Sequence, residues 1–134
     1  RMSFIRQKSE FNIDAAEELI KLSNYAPSVH CSYYAAFQLI KYTLKKYGNI
    51  TYDQIDKESK NKGSHKYLIQ KALSVFNESG FKYRESATLR RNFMDLKTLR
   101  EKSDYHNIQI FSTDAEKSLA VSKEIIKTIR TKLR

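Results

Sequence analysis

Arg100 and Asp104 are the residues best suited to chemistry, because both lie where a helix should present apolar side chains. The apolar positions of this stretch recur at helical spacing, at Leu89, Phe93 and Leu96. The same stripe continues inward to Arg100 and Asp104, which are only about 40° apart on a helix and can pair as i, i+4 neighbours. Charged side chains at a helix interface are costly to bury unless they are paired with each other or needed for function. Arg100 and Asp104 are therefore the first candidates for a functional site.

Two further residues that could take part in catalysis, Tyr105 and His106, follow directly. A histidine can act as general acid or base near neutral pH. In an unbroken helix His106 would lie about 240° from Arg100, so the two residues reach the same site if the helix ends near Tyr105. The alternative is structural: Arg100 and Asp104 lock two helices, and Tyr105 packs at an interface.

The charge balance favours an anionic partner. The 134 residues include 25 Lys and Arg against 15 Asp and Glu, a formal net charge of +10. This suits RNA, DNA, a nucleotide or an acidic protein surface, although a solvated lysine-rich surface explains it equally well. Lys97 and Lys102 could extend a basic track for RNA. Lys66 lies beside a predicted helix N-terminus and could bind a phosphate together with His65. The alternative for His65 is a structural role as a semi-buried side chain.

Most metal-dependent and cofactor-dependent enzyme classes lack support in the sequence. It has no glycine-rich phosphate loop, no paired-cysteine motif and no His-Glu-x-x-His helix, and its three histidines lack metal-ligand spacing. We therefore expect neither a metal nor a cofactor. The single cysteine, Cys31, is expected to be buried and inert, and no apolar run approaches the roughly 20 residues of a membrane span. These features predict a cytoplasmic protein that does not act at a membrane.

Helical periodicity and the scarcity of turn residues predict an all-α fold. Three Gly and one Pro are too few for a turn-rich β architecture of this length. We expect an up-and-down bundle of four to five helices. The predicted helices run from about Asn12 or Asp14 to Ser23, over 27–47, from Ser64 to just before Gly80, over 84–104 and over 114–132.

The remaining segments are predicted to be an arm and a loop. Residues 1–11 have no clear period and are expected to form an arm before a single domain of residues 12–134. Arg1, which precedes Met2, is interpreted as a remnant of expression. Residues 48–63 are polar and lysine-rich, which predicts a long loop with at most one short helical turn.

The second and last helices carry further signals. No Asp, Glu, Lys or Arg occurs from Ser28 through Leu39, so this helix is expected to lie at the centre of the bundle. Thr113-Asp114-Ala115-Glu116 is interpreted as the capping box of the last helix. Just before it, Ile108, Ile110 and Phe111 are expected to pack against the core.

Three short motifs, in their order and spacing, resemble those of a known family. Tyr33-Tyr34-Ala35-Ala36-Phe37 lies in the second predicted helix, Ser64-His65-Lys66 begins the third, and Arg100-Glu101-Lys102-Ser103-Asp104-Tyr105 ends the fourth. Together they are similar to the HEPN superfamily of small helical nucleotide-binding domains, in the branch with an Arg-x-x-Ala-Asp-Tyr ending. The resemblance spans about residues 12–130.

The resemblance implies a helical bundle that commonly dimerises through the motif-bearing helices. In active members, arginine and histidine from two protomers line a shared cleft and promote metal-independent RNA cleavage by the ribose 2′-hydroxyl. Arg100 and His106 match the family pattern of an arginine and a histidine separated by four to six residues. The resemblance implies that Arg100 stabilises the charge of a pentavalent phosphate and that His106 can also serve the site of the other protomer. Glu101 departs from the Asn, Asp or His that usually follows the arginine.

Many members act as the toxin half of a toxin–antitoxin pair with a small nucleotidyltransferase, whereas others are non-catalytic binders. The resemblance thus implies RNA or a nucleotide as partner, a nucleotidyltransferase as a further partner, and a homodimer. Three hypotheses follow: a metal-independent endoribonuclease centred on Arg100, a non-catalytic binding or docking module, and a dimer-locking role for the Arg100–Asp104 pair.

Overall fold

Six helices, and no strand, make up the part of the chain that the structure describes. The structure is a computed structural model, and it describes residues 4–62, 64–105 and 107–132, apart from the side chains at positions 61, 62, 64 and 65. The helices are α1 (Phe4–Lys21), α2 (Tyr25–Gly48), α3 (Tyr52–Lys62), α4 (Ser64–Glu78), α5 (Tyr83–Tyr105) and α6 (Ser112–Lys132). The all-α prediction is confirmed, but the predicted number of four to five helices is too low.

The first helix, α1, begins at Phe4 rather than near Asn12. The Asn12 side chain does not cap a helix, because its Nδ2 donates to the main-chain carbonyl of Lys8, one turn earlier, at 2.9 Å. Ser9 is buried, and its hydroxyl donates to the carbonyl oxygen of Ala35 in α2 at 2.6 Å. The described residues before Asn12 are therefore helical and are joined to α2 through Ser9, and the expectation of an arm there is wrong.

The second helix, α2, lies at the centre of the bundle, as its uncharged stretch predicts, and contacts all five other described helices. Small hydroxyl side chains let its neighbours approach closely. Ser28 donates to the carbonyl oxygen of Ala16 in α1 at 2.8 Å, and Ser122 in α6 donates to that of Ser32 at 2.7 Å. Each such hydrogen bond adds about 1 kcal/mol to stability. The large buried side chains around α2 include Tyr33, Ile40, Leu44, Leu68, Phe76, Leu89, Phe93, Leu96 and Ile125.

The third helix, α3, occupies the segment that was expected to be a loop. A complete capping box begins it: the Thr51 N–H donates to the Gln54 side-chain oxygen at 2.9 Å, and the Gln54 N–H donates to the Thr51 hydroxyl at 3.1 Å. Ile55, 1 % exposed, anchors the helix in the core. One cap and one buried side chain are thus enough to place a largely polar helix on the bundle.

The last helix, α6, begins with a different cap from the predicted one. It starts at Ser112, and the Asp114 carboxylate accepts a hydrogen bond from the Phe111 main-chain N–H at 2.9 Å. The predicted box that starts at Thr113 is therefore wrong. Phe111 and Ile108 are 54 % and 51 % exposed, so the expectation that they pack against the core is also wrong.

Candidate functional site

The α5 helix places Arg100 on the inner face of the bundle, as the apolar stripe predicts. Leu89, Phe93 and Leu96 are buried, and Arg100, one turn later, is only 8 % exposed. Its Nε lies 3.0 Å from Oδ2 of Asp104, so the predicted i, i+4 ion pair is present. A cation buried to this degree needs a counter-ion, because an unpaired buried charge is strongly destabilising.

Asp104 also contacts the neighbouring helix, α2. Its Oδ2 lies 3.1 Å from Nδ1 of His30, and its Oδ1 lies 3.4 Å from the same nitrogen. One carboxylate therefore contacts a guanidinium on its own helix and an imidazole on α2. Because the contact uses the Nδ1 edge of the His30 ring, Nε2 is the nitrogen left to meet a ligand.

Three tyrosines surround the Arg100 guanidinium. Its central carbon lies 5.1 Å from the ring centroid of Tyr33, 5.8 Å from that of Tyr34 and 5.3 Å from that of Tyr105. Arg100 Nη2 also donates a hydrogen bond to the Tyr105 hydroxyl at 3.1 Å. Tyr34 contacts the His30 ring, with centroids 4.6 Å apart. We refer to the following six residues as the Arg100 cluster: His30, Tyr33, Tyr34, Arg100, Asp104 and Tyr105.

The Arg100 cluster is layered from the inside of the bundle to its surface. The Arg100 and Asp104 side chains are 10 % and 21 % exposed, whereas the His30 side chain is 47 % exposed. Tyr105 is 68 % exposed. A ligand at this surface would therefore meet His30 and Tyr105 first, with the ion pair behind them.

Two contacts fix the C-terminal end of α5 beside its neighbours. The Ser103 hydroxyl donates to the carbonyl oxygen of Ala26 in α2 at 3.0 Å, and Lys102 Nζ lies 3.2 Å from Oδ1 of Asp114 in α6. The hydrogen bond from the Phe111 main chain, helped by Lys102, lowers the pKa of Asp114 despite partial desolvation. Asp114 is therefore ionised at neutral pH, and the α5–α6 connection is tied down next to the Arg100 cluster.

The predicted RNA-binding lysines have different surroundings. Lys97 lies 3.5 Å from Glu101 in an i, i+4 ion pair, and Lys102 is engaged with Asp114 as described above. Lys66 is exposed in the first turn of α4. Both of the α5 lysines thus have carboxylate partners within the chain, which makes them less suited to bind RNA phosphates.

Two histidines that the sequence predicts at the site cannot be placed. His106 and the side chain of His65 lie outside the part of the chain that the structure describes. Their roles stay predictions.

His30 is the member of the cluster that sequence reasoning did not single out. It lies 74 residues before Asp104 in the chain, so no local pattern connects the two. A weak signal was present, because His30 is four residues before Tyr34 and shares its face of α2. Only the packing of α2 against α5 turns that spacing into a site.

The described residues offer little support for other chemistry. No group of three or more His, Cys, Asp or Glu among them could hold a metal ion. Burial raises the pKa of the Cys31 thiol, which keeps it protonated and unreactive at neutral pH. Within the same residues, no helix combines the length and the apolar character needed to cross a membrane.

Comparison with known proteins identifies the family. A family model described as the HEPN domain matches residues 2–132. The chain belongs to the HEPN family. No curated protein and no solved structure matches the chain.

Proposed function

We propose that this HEPN protein is a metal-independent endoribonuclease whose active site is the Arg100 cluster. The observation that carries the proposal is the 3.1 Å contact between His30 Nδ1 and Asp104 Oδ2, with the buried Arg100 beside it. A partly exposed histidine oriented by a carboxylate is well suited to general acid–base catalysis. Membership of the HEPN family and the formal charge of +10 support RNA as the substrate.

The proposed reaction begins at the exposed edge of His30. Its Nε2 takes the proton of a ribose 2′-hydroxyl, and the 2′-oxygen bonds to the adjacent phosphorus as the bond to the 5′-oxygen breaks. The products are a 2′,3′-cyclic phosphate and a 5′-hydroxyl. The departing oxygen takes its proton from a second acid, and His106 of either protomer is the candidate for that role.

Tyr105 is proposed to contact the phosphate, with Arg100 acting through it. Because Arg100 Nη2 donates to the Tyr105 oxygen, the phenolic proton is free to donate to a phosphate oxygen. A guanidinium behind the hydroxyl makes it a stronger donor toward developing negative charge. Arg100 and Asp104 are thus positioning residues, and the groups that touch the RNA are Tyr105 and His30.

An RNA-cleavage assay in EDTA tests the proposal. His30→Ala should lower the cleavage rate by about 10²-fold or more, because the general base is lost. Tyr105→Phe should lower it by about tenfold or more, because one donor to the transition state is lost. Both variants change exposed side chains, so their melting temperatures should stay close to that of the wild type.

Tyr83→Phe is the matched control for Tyr105→Phe. Tyr83 lies at the other end of α5 and is 89 % exposed, so its hydroxyl should not affect cleavage. Intact RNA after long incubation with a high concentration of the wild-type protein would refute the proposal that the protein is a ribonuclease. Equal rates for wild type and His30→Ala would refute the assigned base.

We also propose that a homodimer brings two Arg100 clusters together. The supporting observation is that three large side chains at the end of α5 and just after it, those of Tyr105, Ile108 and Phe111, are 68 %, 51 % and 54 % exposed. Because Tyr105 belongs to the cluster, a second copy of the chain is the favoured occupant, since each copy would then complete the cleft of the other.

Analytical ultracentrifugation tests the homodimer. Ile108→Asp should shift the protein toward the monomer and lower cleavage in parallel, because a carboxylate would be buried at the interface. Phe11→Asp, a change at an exposed side chain of α1, is the control and should leave the dimer intact. A wild-type protein that sediments as a monomer at all concentrations would contradict the proposal.

A second candidate function is a non-catalytic module that binds a nucleotide or docks a small nucleotidyltransferase. It is favoured by the enclosure of Arg100, whose guanidinium is held by one carboxylate and three tyrosines. This alternative predicts saturable, salt-sensitive RNA binding without cleavage in the same assay. A toxin that is paired with such a nucleotidyltransferase would need the ribonuclease activity. This role predicts that expression of the wild type arrests growth and that His30→Ala does not.

A further inference from the structure

A second polar cleft lies at the opposite end of α2 from the Arg100 cluster. It is bounded by α1, α2 and α6 and has a volume of about 360 Å³. Counted along α2, Lys46 is 16 residues beyond His30, which corresponds to about 24 Å. We refer to the following eight lining residues as the basic cleft: Arg6, Leu39, Tyr42, Thr43, Lys46, Tyr47, Ile129 and Arg130.

The walls of the basic cleft are cationic. Arg6, Lys46 and Arg130 come from three different helices and converge on it, and no carboxylate is among its lining residues. Arg130 has a carboxylate partner outside the lining, because Glu10 Oε1 lies 3.1 Å from its Nη2 on a side chain that is 42 % exposed. The charged residues of the lining itself are all cationic, which favours an anionic ligand despite the partial negative charge at the C-terminal end of α2.

Aromatic and apolar groups complete the basic cleft. Lys46 Nζ lies 5.8 Å from the Tyr42 ring centroid and 5.2 Å from the Tyr47 centroid, so two tyrosines stand beside the ammonium. Leu39 and Ile129, 2 % and 3 % exposed, contribute to the apolar part of the lining. The cleft therefore offers donors for an oxyanion next to flat surfaces for a ring.

We propose that the basic cleft binds a mononucleotide, with the phosphate on Arg6, Lys46 and Arg130 and the base against Tyr42 or Tyr47. Phosphate suits converging cations because each donor makes a charge-assisted hydrogen bond. A base suits the tyrosines because every base has a face that can stack. The volume is within the range of small-ligand sites. The proposal does not depend on catalysis at the Arg100 cluster.

Calorimetric titration of the whole chain with AMP, adenosine and inorganic phosphate tests the proposal. AMP should bind at least about tenfold more tightly than either fragment, because only AMP uses both halves of the cleft. Lys46→Ala should weaken AMP binding by about tenfold, because it removes a charge-assisted contact. Glu10→Gln should tighten binding, since Arg130 would no longer be shared with a carboxylate.

Lys45→Ala is the matched control, because Lys45 is the preceding residue of α2 and lies over Tyr52 instead of lining the cleft. It should retain wild-type AMP affinity. Lack of AMP binding by the wild type, or equal affinity for inorganic phosphate and AMP, would overturn the proposal. Equal losses in Lys45→Ala and Lys46→Ala would also overturn it, because they would show attraction by net charge rather than by a site.

Discussion

The Arg100 cluster and the basic cleft combine the same residue types in opposite ways. Both place cations beside tyrosine rings on α2, one near its start and one near its end. At the cluster the cation is buried and has its own carboxylate. At the cleft three cations come from three helices, and no carboxylate is among the lining residues. The cluster therefore contains both members of an ion pair, whereas the charged residues of the cleft lining are all cationic.

This difference separates structural from binding roles of a charge. A buried guanidinium must be paired before the helix can pack, so the Arg100–Asp104 pair is needed for the fold whether or not it is used in chemistry. Exposed cations such as Lys46 are hydrated and need no partner. Changes at the Arg100–Asp104 pair should therefore affect stability and activity together, and changes at the cleft should affect binding alone.

The largest expected effect is that of Arg100→Ala on stability. The change leaves the Asp104 carboxylate without its guanidinium and opens space among three tyrosines, which should lower the free energy of unfolding by about 3 kcal/mol. Lys46→Ala at the basic cleft is the comparison and should change it by less than about 0.5 kcal/mol. Urea titration measures both.

Equal destabilisation by the two changes would break the comparison, because it would mean that the cleft cations also support the fold. Arg100→Met sharpens the comparison by keeping the length of the side chain without its charge. Arg100→Met should lower the free energy of unfolding by less than Arg100→Ala does, since the packing on the tyrosines is partly kept.

A smaller effect is expected at Asp114, which ties α5 to α6 beside the Arg100 cluster. Asp114→Asn weakens the hydrogen bond from the Phe111 N–H and removes the Lys102 ion pair, and should cost about 1 kcal/mol at neutral pH. Because the pKa of Asp114 is lowered in the folded chain, its contribution is complete above its ordinary value near 3.8 and is lost as the pH falls further. The wild type and Asp114→Asn should therefore converge in melting temperature at low pH.

The smallest effect is expected at Glu85, the counterpart of Asp114 at the start of α5. Its carboxylate accepts a hydrogen bond from the Lys82 N–H at 2.9 Å and lies 2.7 Å from Lys132 Nζ, and these contacts lower its pKa, with Lys132 contributing most. Its side chain is 27 % exposed against 16 % for Asp114. Glu85→Gln should thus lower the melting temperature by less than Asp114→Asn. A larger drop would contradict the expectation that the carboxylate beside the Arg100 cluster contributes more to stability than the one at the start of α5.

Sequence patterns predicted the parts of the fold that depend on one helix at a time. The stripe from Leu89 to Arg100 and the i, i+4 pairing with Asp104 follow from helical geometry alone, and both are confirmed. The missed helix α3 has few apolar residues, so periodicity could not reveal it. Its capping box at Thr51 and Gln54 was readable from the sequence and is the better signal for a polar helix.

The candidate site could be predicted only on its α5 side. Tyr105 and Asp104 are neighbours of Arg100 in the chain, whereas His30 reaches Asp104 because α2 and α5 pack together near their ends. Choosing His30 from three histidines would have required the relative position of two helices. The same reason explains the basic cleft, whose cations come from α1, α2 and α6.

The hydroxyls of Ser9, Ser28 and Ser122 have a consequence for how this domain tolerates substitution. Each is almost completely buried and bonds to a carbonyl oxygen of the adjacent helix, so each marks a place where two backbones touch through one small side chain. A larger residue at any of them would push α1 or α6 away from α2. These three positions should therefore rank among the least substitutable in the chain, although serine is usually among the most freely exchanged of residues.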